Sequence, residues 1–363
     1  MSDLLVNGAF TVGGFLIGVV FEDRAKKSMD IAGRRLRARR AGPASSGETF
    51  RLGALQTPML VVEGDGEHEI SLGHVEVHVD SQPLELPPDL RQVRDRIQAE
   101  QEANRASGRP HLWNGANYAV KNLTVSRTAT DEEPELCLTL QPSDYYNFLA
   151  AKAVLEEDAV VPGSSVTFRE KYLAGFDWTH PVPEMSSSFG VNVAVVTNDN
   201  QLVVCQRSQV VGSRPGAFAV SANEGLTGFD AAGRSAPSLH ECARRAVKEE
   251  LGITTTAEEN YHLLAIGLDT HLHQWGCFGY VQLEQCSYAQ LRDIATRGVP
   301  DKWENQKILA VPFVPERVVP FMLDPVRRDD WAPGAPLSFH VALVHVYGRK
   351  RVAAALRKFE RNS

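Results

Sequence analysis

The clearest pattern in the chain runs from Ser238 to Ile253, SLHECARRAVKEELGI, where Leu239, Cys242, Ala243, Ala246 and Val247 recur at helical spacing. Pro237 stands before a Ser238-x-x-Glu241 capping box and Gly252 follows the last turn, so the pattern predicts a helix with defined ends. At about 100° per residue, Glu250 falls in the middle of the apolar stripe and Glu249 on its flank. An inward carboxylate is costly to desolvate unless it meets a cation or hydrogen-bond donors. Two readings stay open for it at this point, a structural ion pair and a metal ligand.

Around this helix the apolar positions shift between two periods. Val191–Val196 and Gln201–Arg207 read as a hairpin around Thr197-Asn-Asp-Asn200, followed after the helix by strands at Leu263–Leu268 and Gly276–Leu283. Ala289–Thr296 reads as a helix, Lys307–Val314 as a strand and Leu337–Phe359 as one long C-terminal helix. Strands interleaved with helices predict a mixed sheet between helical layers over residues 188–363. Upstream, Thr49–Leu55, Met59–Val62, His74–Val79, Ala116–Val125 and Glu135–Leu140 read as short strands, and Pro88–Ala106 as an exposed helix. Residues 44–187 are therefore expected to form a smaller β-rich domain. Its aromatic residues Tyr145, Tyr146 and Phe148, with Trp113 and Trp178, are read as packing or as a stacking surface for a ligand base at the cleft with the second half.

Leu4 to Phe21 is apolar apart from Asn7 and Thr11, and as a helix it would span roughly 27 Å. A run of Arg and Lys follows it up to Arg40, which by the positive-inside rule keeps the rest of the chain cytoplasmic. Residues 1–43 are thus expected to be a single-pass anchor of the cell membrane with a basic juxtamembrane segment. A buried first helix or strand pair is the other reading. Gly14-x-x-x-Gly18 would let two such helices pack closely, giving a homo-oligomer. The formal charge of −7 over 363 residues argues against a general nucleic-acid binder. Five cysteines without a CxxC pair read as reduced core residues, not a zinc site or disulfide framework. His271-x-His273 has no third soft ligand spaced to close a metal site, and reads as a polar strand face or loop.

Arg245-Ala-Val-Lys-Glu-Glu-Leu-Gly-Ile253 resembles the second half of the Nudix box, G-x5-E-x7-R-E-U-x-E-E-x-G-U, where U is a bulky apolar residue. The preceding hairpin ends in Gln206-Arg207-Ser208, as is usual in that family, and the resemblance covers residues 188–363. It implies an α/β fold, the Nudix-type α/β/α sandwich with a mixed sheet, here preceded by the β-rich domain and the N-terminal hydrophobic helix. The departures are specific. Ala246 stands where the box has a Glu after the Arg, and Pro237 where it has its upstream Glu. Phe218-Ala-Val-Ser-Ala-Asn-Glu-Gly225 replaces the usual Gly-rich loop, and the stretch from Gly225 to Glu249 is about six residues longer than the motif. Glu224 and Asp230 in this enlarged loop are candidates to replace the lost ligands, or ordinary loop polarity.

The resemblance implies hydrolysis of a nucleoside diphosphate linked to another group, with Mg²⁺ (or Mn²⁺) held by Glu249, Glu250, Glu224 and Asp230 and a bound water attacking phosphorus. Glu250 and Glu249 are the expected catalytic pair. Glu304 lies in the late loop where some Nudix enzymes place a general base. Arg207 and Arg214 flank the loop leading to the site and, with Glu224, are candidate substrate-binding residues, Arg being suited to bidentate phosphate contacts. Missing carboxylates, an enlarged loop and an anchor also suit a second reading, a non-catalytic Nudix nucleotide sensor or effector. That arrangement resembles the Nudix-bearing membrane proteins of bacterial cyclic-nucleotide defence systems. A third reading is a structural α/β domain with a residual box.

Overall fold

The computed structural model describes residues 49–109, 111–129, 133–161, 164–209, 214–254, 261–298 and 305–362. The expected anchor at 4–21, its basic flank and Glu304 lie outside the described residues. No described helix is long and apolar enough to cross a membrane. In chain order the first half contains β1 (Thr49–Leu52), β2 (Leu55–Glu63), β3 (Val75–Val79), α1 (Pro88–Ala106), β4 (Ala116–Arg127), β5 (Pro134–Asp144), α2 (Tyr145–Val154), β6 (Asp158–Val161), β7 (Ser164–Thr167) and α3 (Phe168–Leu173). The second half continues with β8 (Phe189–Val196), β9 (Gln201–Arg207), β10 (Phe218–Ala219), β11 (Ala222–Gly225), α4 (Leu239–Leu251), β12 (Tyr261–Asp269), β13 (Gln274–Gln282), α5 (Tyr288–Arg297), β14 (Asn305–Pro312), α6 (Pro315–Leu323), α7 (Gly334–Tyr347) and α8 (Arg349–Asn362).

The molecule is of the mixed α/β class, built on a nine-stranded sheet ordered β1-β2-β12-β13-β8-β9-β10, with β11 on β8 and β14 on β9. Only β13 and β8 run parallel within it. Strand β8 shows how sequence alternation makes two cores. Val191, Val193 and Val195 join the cluster that contains Leu239, Cys242, Ala243, Ala246 and Val247 of α4, while Ala194 and Val196 join the cluster of Phe339, Ala342 and Leu343 of α7. Successive side chains of a strand point to opposite faces, so helices cover both sides of the sheet. Each fully buried Val or Leu in these layers contributes roughly 1.5–3 kcal/mol of apolar transfer.

Helix α4 begins and ends where the pattern places it. Ser238 Oγ accepts from the Glu241 amide, and Gly252 closes the helix in the left-handed region at φ 72°. At the other end of the chain the expected single helix is two. Gly348, at φ 78° and ψ 148°, ends α7 and α8 begins one residue later, a break that the continuous helical periodicity conceals.

The boundary drawn at residue 188 does not separate two cores. Strand β2 pairs antiparallel with β12, Leu60 facing Leu268 and Val61 facing Gly267. Val120, Leu123, Leu136, Leu138 and Leu140 of the three-stranded sheet β3-β5-β4 lie in the same cluster as α4 and β8. Helices α1, α2 and α3 have a smaller cluster of their own, with Leu90, Val93, Ala150, Val154 and Phe168. Helix α1, expected to be exposed, buries one side against α2, and Arg94 reaches over to Asp144 at 2.7 Å and Asn147 at 3.0 Å.

Candidate functional site

Two chemically different groups meet on β11 and the strands beside it. The first is a set of carboxylates around Arg245. Its guanidinium grips Asp230 with two bonds, Nε to Oδ1 at 2.8 Å and Nη2 to Oδ2 at 3.0 Å, and donates to the Gly225 carbonyl at 2.6 Å. Nη1 stands 3.3 Å from Glu224 and 3.4 Å from Glu249. Burial opposes charge on Arg245, but the Asp230 bonds and the surrounding carboxylates hold its pKa above the ordinary value. Asp230 also accepts from the Thr227 amide at 2.8 Å, so the capping turn of the enlarged loop and the guanidinium together engage both its oxygens.

Glu224 is 3% exposed. Burial raises its pKa, Arg245 pulls it back, and Glu250 and Glu249 push it up again. Its Oε1 accepts from the Gly225 amide at 2.9 Å. Glu250, buried as its helical position requires, ties α4 to β11 by accepting from the Asn223 amide at 2.7 Å. Its other oxygen lies 3.4 Å from Asn305 Nδ2, in β14. The inward carboxylate thus meets donors, and Glu249 meets a cation.

Whether these residues suit Mg²⁺ is a question of spacing. A hard divalent cation draws its oxygen ligands to about 2.0–2.6 Å, which brings them close to one another. Among the described residues, two groups of potential ligands gather three donor atoms within 4.8 Å, and neither contains Glu224, Glu249, Glu250 or Asp230. As arranged, the carboxylates surround a guanidinium rather than converge on one ion, so they do not fit the expected metal.

The second group lines a cleft of about 190 Å³ between α2 and the sheet. Helix α2 starts at Asp144, whose side chain accepts from the Asn147 amide, and this cap sets Tyr145, Phe148 and Lys152 toward the cleft. The Tyr145 and Phe148 rings lie 5.9 Å apart, and Lys152 Nζ sits 5.7 Å from the Phe148 ring centre. Opposite them are Arg207 at the end of β9 and Arg214. Arg214 adopts φ 49° and pairs with Asp269 at 2.7 Å, while Asp269 also accepts from the His271 and Leu272 amides. Burial and the two neighbouring guanidiniums draw the Lys152 pKa down to about 8, against the pull of Asp269. Asn117 is buried in the wall, and its side-chain oxygen has no hydrogen-bond partner among the described residues. Trp275 is 1% exposed, with its indole N–H on Ser186 Oγ.

Of the expected site residues, the structure brings Arg207, Arg214 and Glu224 to this cleft and places Glu249, Glu250 and Asp230 around Arg245 or against β11 and β14. Glu304 is outside the described residues. His271 and His273 do not form one face. They lie in the turn between β12 and β13, His271 exposed and His273 buried at φ 50°, edge-on to Phe176. Sequence reasoning missed Lys152, Asn117, Asp269 and Trp275. A signal existed for Lys152 alone, since residues 145, 148 and 152 fall on one stripe of a capped helix.

No family model matches this chain, and neither does any curated protein. A solved structure described as that of DR0079 from Deinococcus radiodurans aligns over 43% of this chain and 81% of its own, at 18% identity and a TM-score of 0.29. A likeness of that size carries no argument about fold or function.

Proposed function

We propose that the chain is a Nudix-like nucleotide-binding protein that takes a nucleotide-type diphosphate into the cleft between α2 and the sheet. One observation carries this reading: Lys152, Arg207 and Arg214 converge beside Tyr145 and Phe148. Burial and, after it, repulsion from Arg214 and Arg207 already depress Lys152, so the three cations gain most from an anion with several negative oxygens. The adjoining rings offer faces for a base, and the unpartnered Asn117 oxygen can accept from an amino group or ribose hydroxyl. In this reading the layered sheet is of the Nudix type, with α4 as the box helix. The box residues maintain the wall of the cleft: Arg245 holds Glu224 and Asp230, and Glu250 holds Asn223. With residues 4–21 as a membrane anchor, the protein acts as a sensor at the cytoplasmic face.

The test is a panel of nucleoside diphosphate conjugates, dinucleoside polyphosphates and cyclic oligonucleotides, assayed for binding and for product release with Mg²⁺ or Mn²⁺. Saturable binding without turnover is expected, with affinity reduced about 10-fold or more in Arg214→Ala, the usual scale for a charge-assisted contact. Metal-dependent turnover that disappears in Glu250→Gln would replace this reading by the hydrolase. Absence of any binding in the native chain would leave neither standing.

A further inference from the structure

A different set of residues, none of which lines the cleft or belongs to the group around Arg245, has the composition of a transition-metal site. Glu69 in the loop after β2, His262 near the start of β12 and His345 in the last turn of α7 each bring a ligand atom within 4.8 Å of the others. His262 Nδ1 lies 2.7 Å from Glu69 Oε2, and the two imidazole rings are 4.9 Å apart. All three side chains are half-buried, so the protein supplies three ligands and water can reach a fourth position.

We propose that Glu69, His262 and His345 bind a divalent ion of the zinc class. Two imidazoles and one carboxylate favour a borderline cation over Mg²⁺ or Ca²⁺, which prefer all-oxygen sets. Zinc would stand about 2.0–2.2 Å from each ligand atom, taking the place of the direct contact between His262 and Glu69. The surroundings orient the ligands as such sites require. The Tyr280 ring stacks on His262 at 5.7 Å and fixes its plane. The His345 ring also stands 6.1 Å from that of Tyr280, so both imidazoles border the same aromatic side chain. Gly66 is pressed on α7, since a Cβ there would meet the Val341 carbonyl at 2.7 Å, so loop and helix are already in register. The ion would join three elements far apart in sequence: the loop after β2, the central sheet and the C-terminal helices. This inference does not rest on the nucleotide reading.

The test is Zn²⁺ titration of the full chain in detergent after chelator treatment, with Co²⁺ absorption as the spectroscopic probe. One Zn²⁺ per chain is expected, not displaced by excess Mg²⁺, raising Tm by about 3–5 °C at 100-fold excess over Kd. Glu69→Gln and His345→Gln should each weaken binding by at least about 100-fold and abolish the Tm rise. His262→Ala is the severer change, and if it fails to fold, the other two variants decide. Cys137→Ser tests the rival group of Glu76, His78 and Cys137 on the β3-β5 surface and should change nothing. Loss of binding in Cys137→Ser, a thiolate-to-cobalt charge-transfer band, retention in both conservative variants, or no stoichiometric binding would each overturn the proposal.

Discussion

Lys152 is where the chemistry of the cleft becomes measurable by pH. Its ammonium is half-buried and faces Arg207 and Arg214, with Asp269 as the nearest opposite charge, and its pKa falls from 10.5 to about 8. Folding therefore favours the neutral amine. The penalty on the charged form is present below about pH 8 and is relieved as pH rises from there toward the unfolded value. A bound diphosphate reverses that preference, because it attracts the ammonium. Affinity for an anionic nucleotide should hold up to about pH 8 and fall above it, whereas Lys152→Met should bind about 10-fold more weakly at pH 7 and lose that part of the decline. Calorimetric Kd values between pH 6.5 and 9.5 for both chains decide the matter. A native profile that is flat or rises above pH 8 would remove Lys152 from the ligand. Glu250 shows the complementary lesson. Its helical phase alone predicts burial with a partner, and the partner is the Asn223 amide, which no spacing rule could identify because β11 is only four residues long.

At the level of elements, the long periodic segments were legible and the short or folded-back ones were not. Helix α4, α1 and strands β8, β9, β12 and β13 follow directly from periods of 3.6 and 2, with shifts of a few residues at their ends. Strands β10 and β11 are too short to show a period, yet they carry Glu224 and the wall of the cleft. Helix α6 hides behind Pro315 and Pro320, which read as breakers although one starts the helix and the other lies within it. The site divides the same way: arginines flanking a loop stand out in a sequence, while Lys152 shows only through the stripe it shares with Tyr145 and Phe148 on α2. Gly64, the residue after β2, adopts φ 107° and lies so close to β12 that a Cβ would meet the Leu264 carbonyl at 2.2 Å. Gly64→Ala should therefore cost about 2–4 kcal/mol, through both the backbone conformation and the collision. Chemical denaturation measures it, and a loss under about 0.5 kcal/mol would mean that the strand pair gives way easily.

For the whole molecule, the interlocking of early and late segments matters more than a division into domains. Residues 49–63 lengthen the sheet beyond β12, and β4 and β5 complete the core over α4. A chain begun at residue 188 would lack Leu60, Val120, Leu123, Leu136, Leu138 and Leu140 from that core. Such a fragment should not fold cooperatively, whereas one begun at 49 should, as thermal unfolding of the two would show; a sharp transition in the shorter fragment would restore the two-domain division. The pairing of β2 with β12 has a second effect. Tyr261–Asp269, YHLLAIGLD, is apolar over most of its length and carries no full charge before its last residue unless His262 is protonated. Such a stretch with unpaired amides and carbonyls is a template for stacking with other chains. Strand β2 occupies that flank over Ile266–Asp269 and leaves the outer border of the sheet to β1, a strand of four residues bearing Arg51. The N-terminal strands are in this sense a built-in guard against self-assembly, and their detachment, by proteolysis or by a pull on the segment before Thr49, would expose the segment of this sheet best suited to form fibrils.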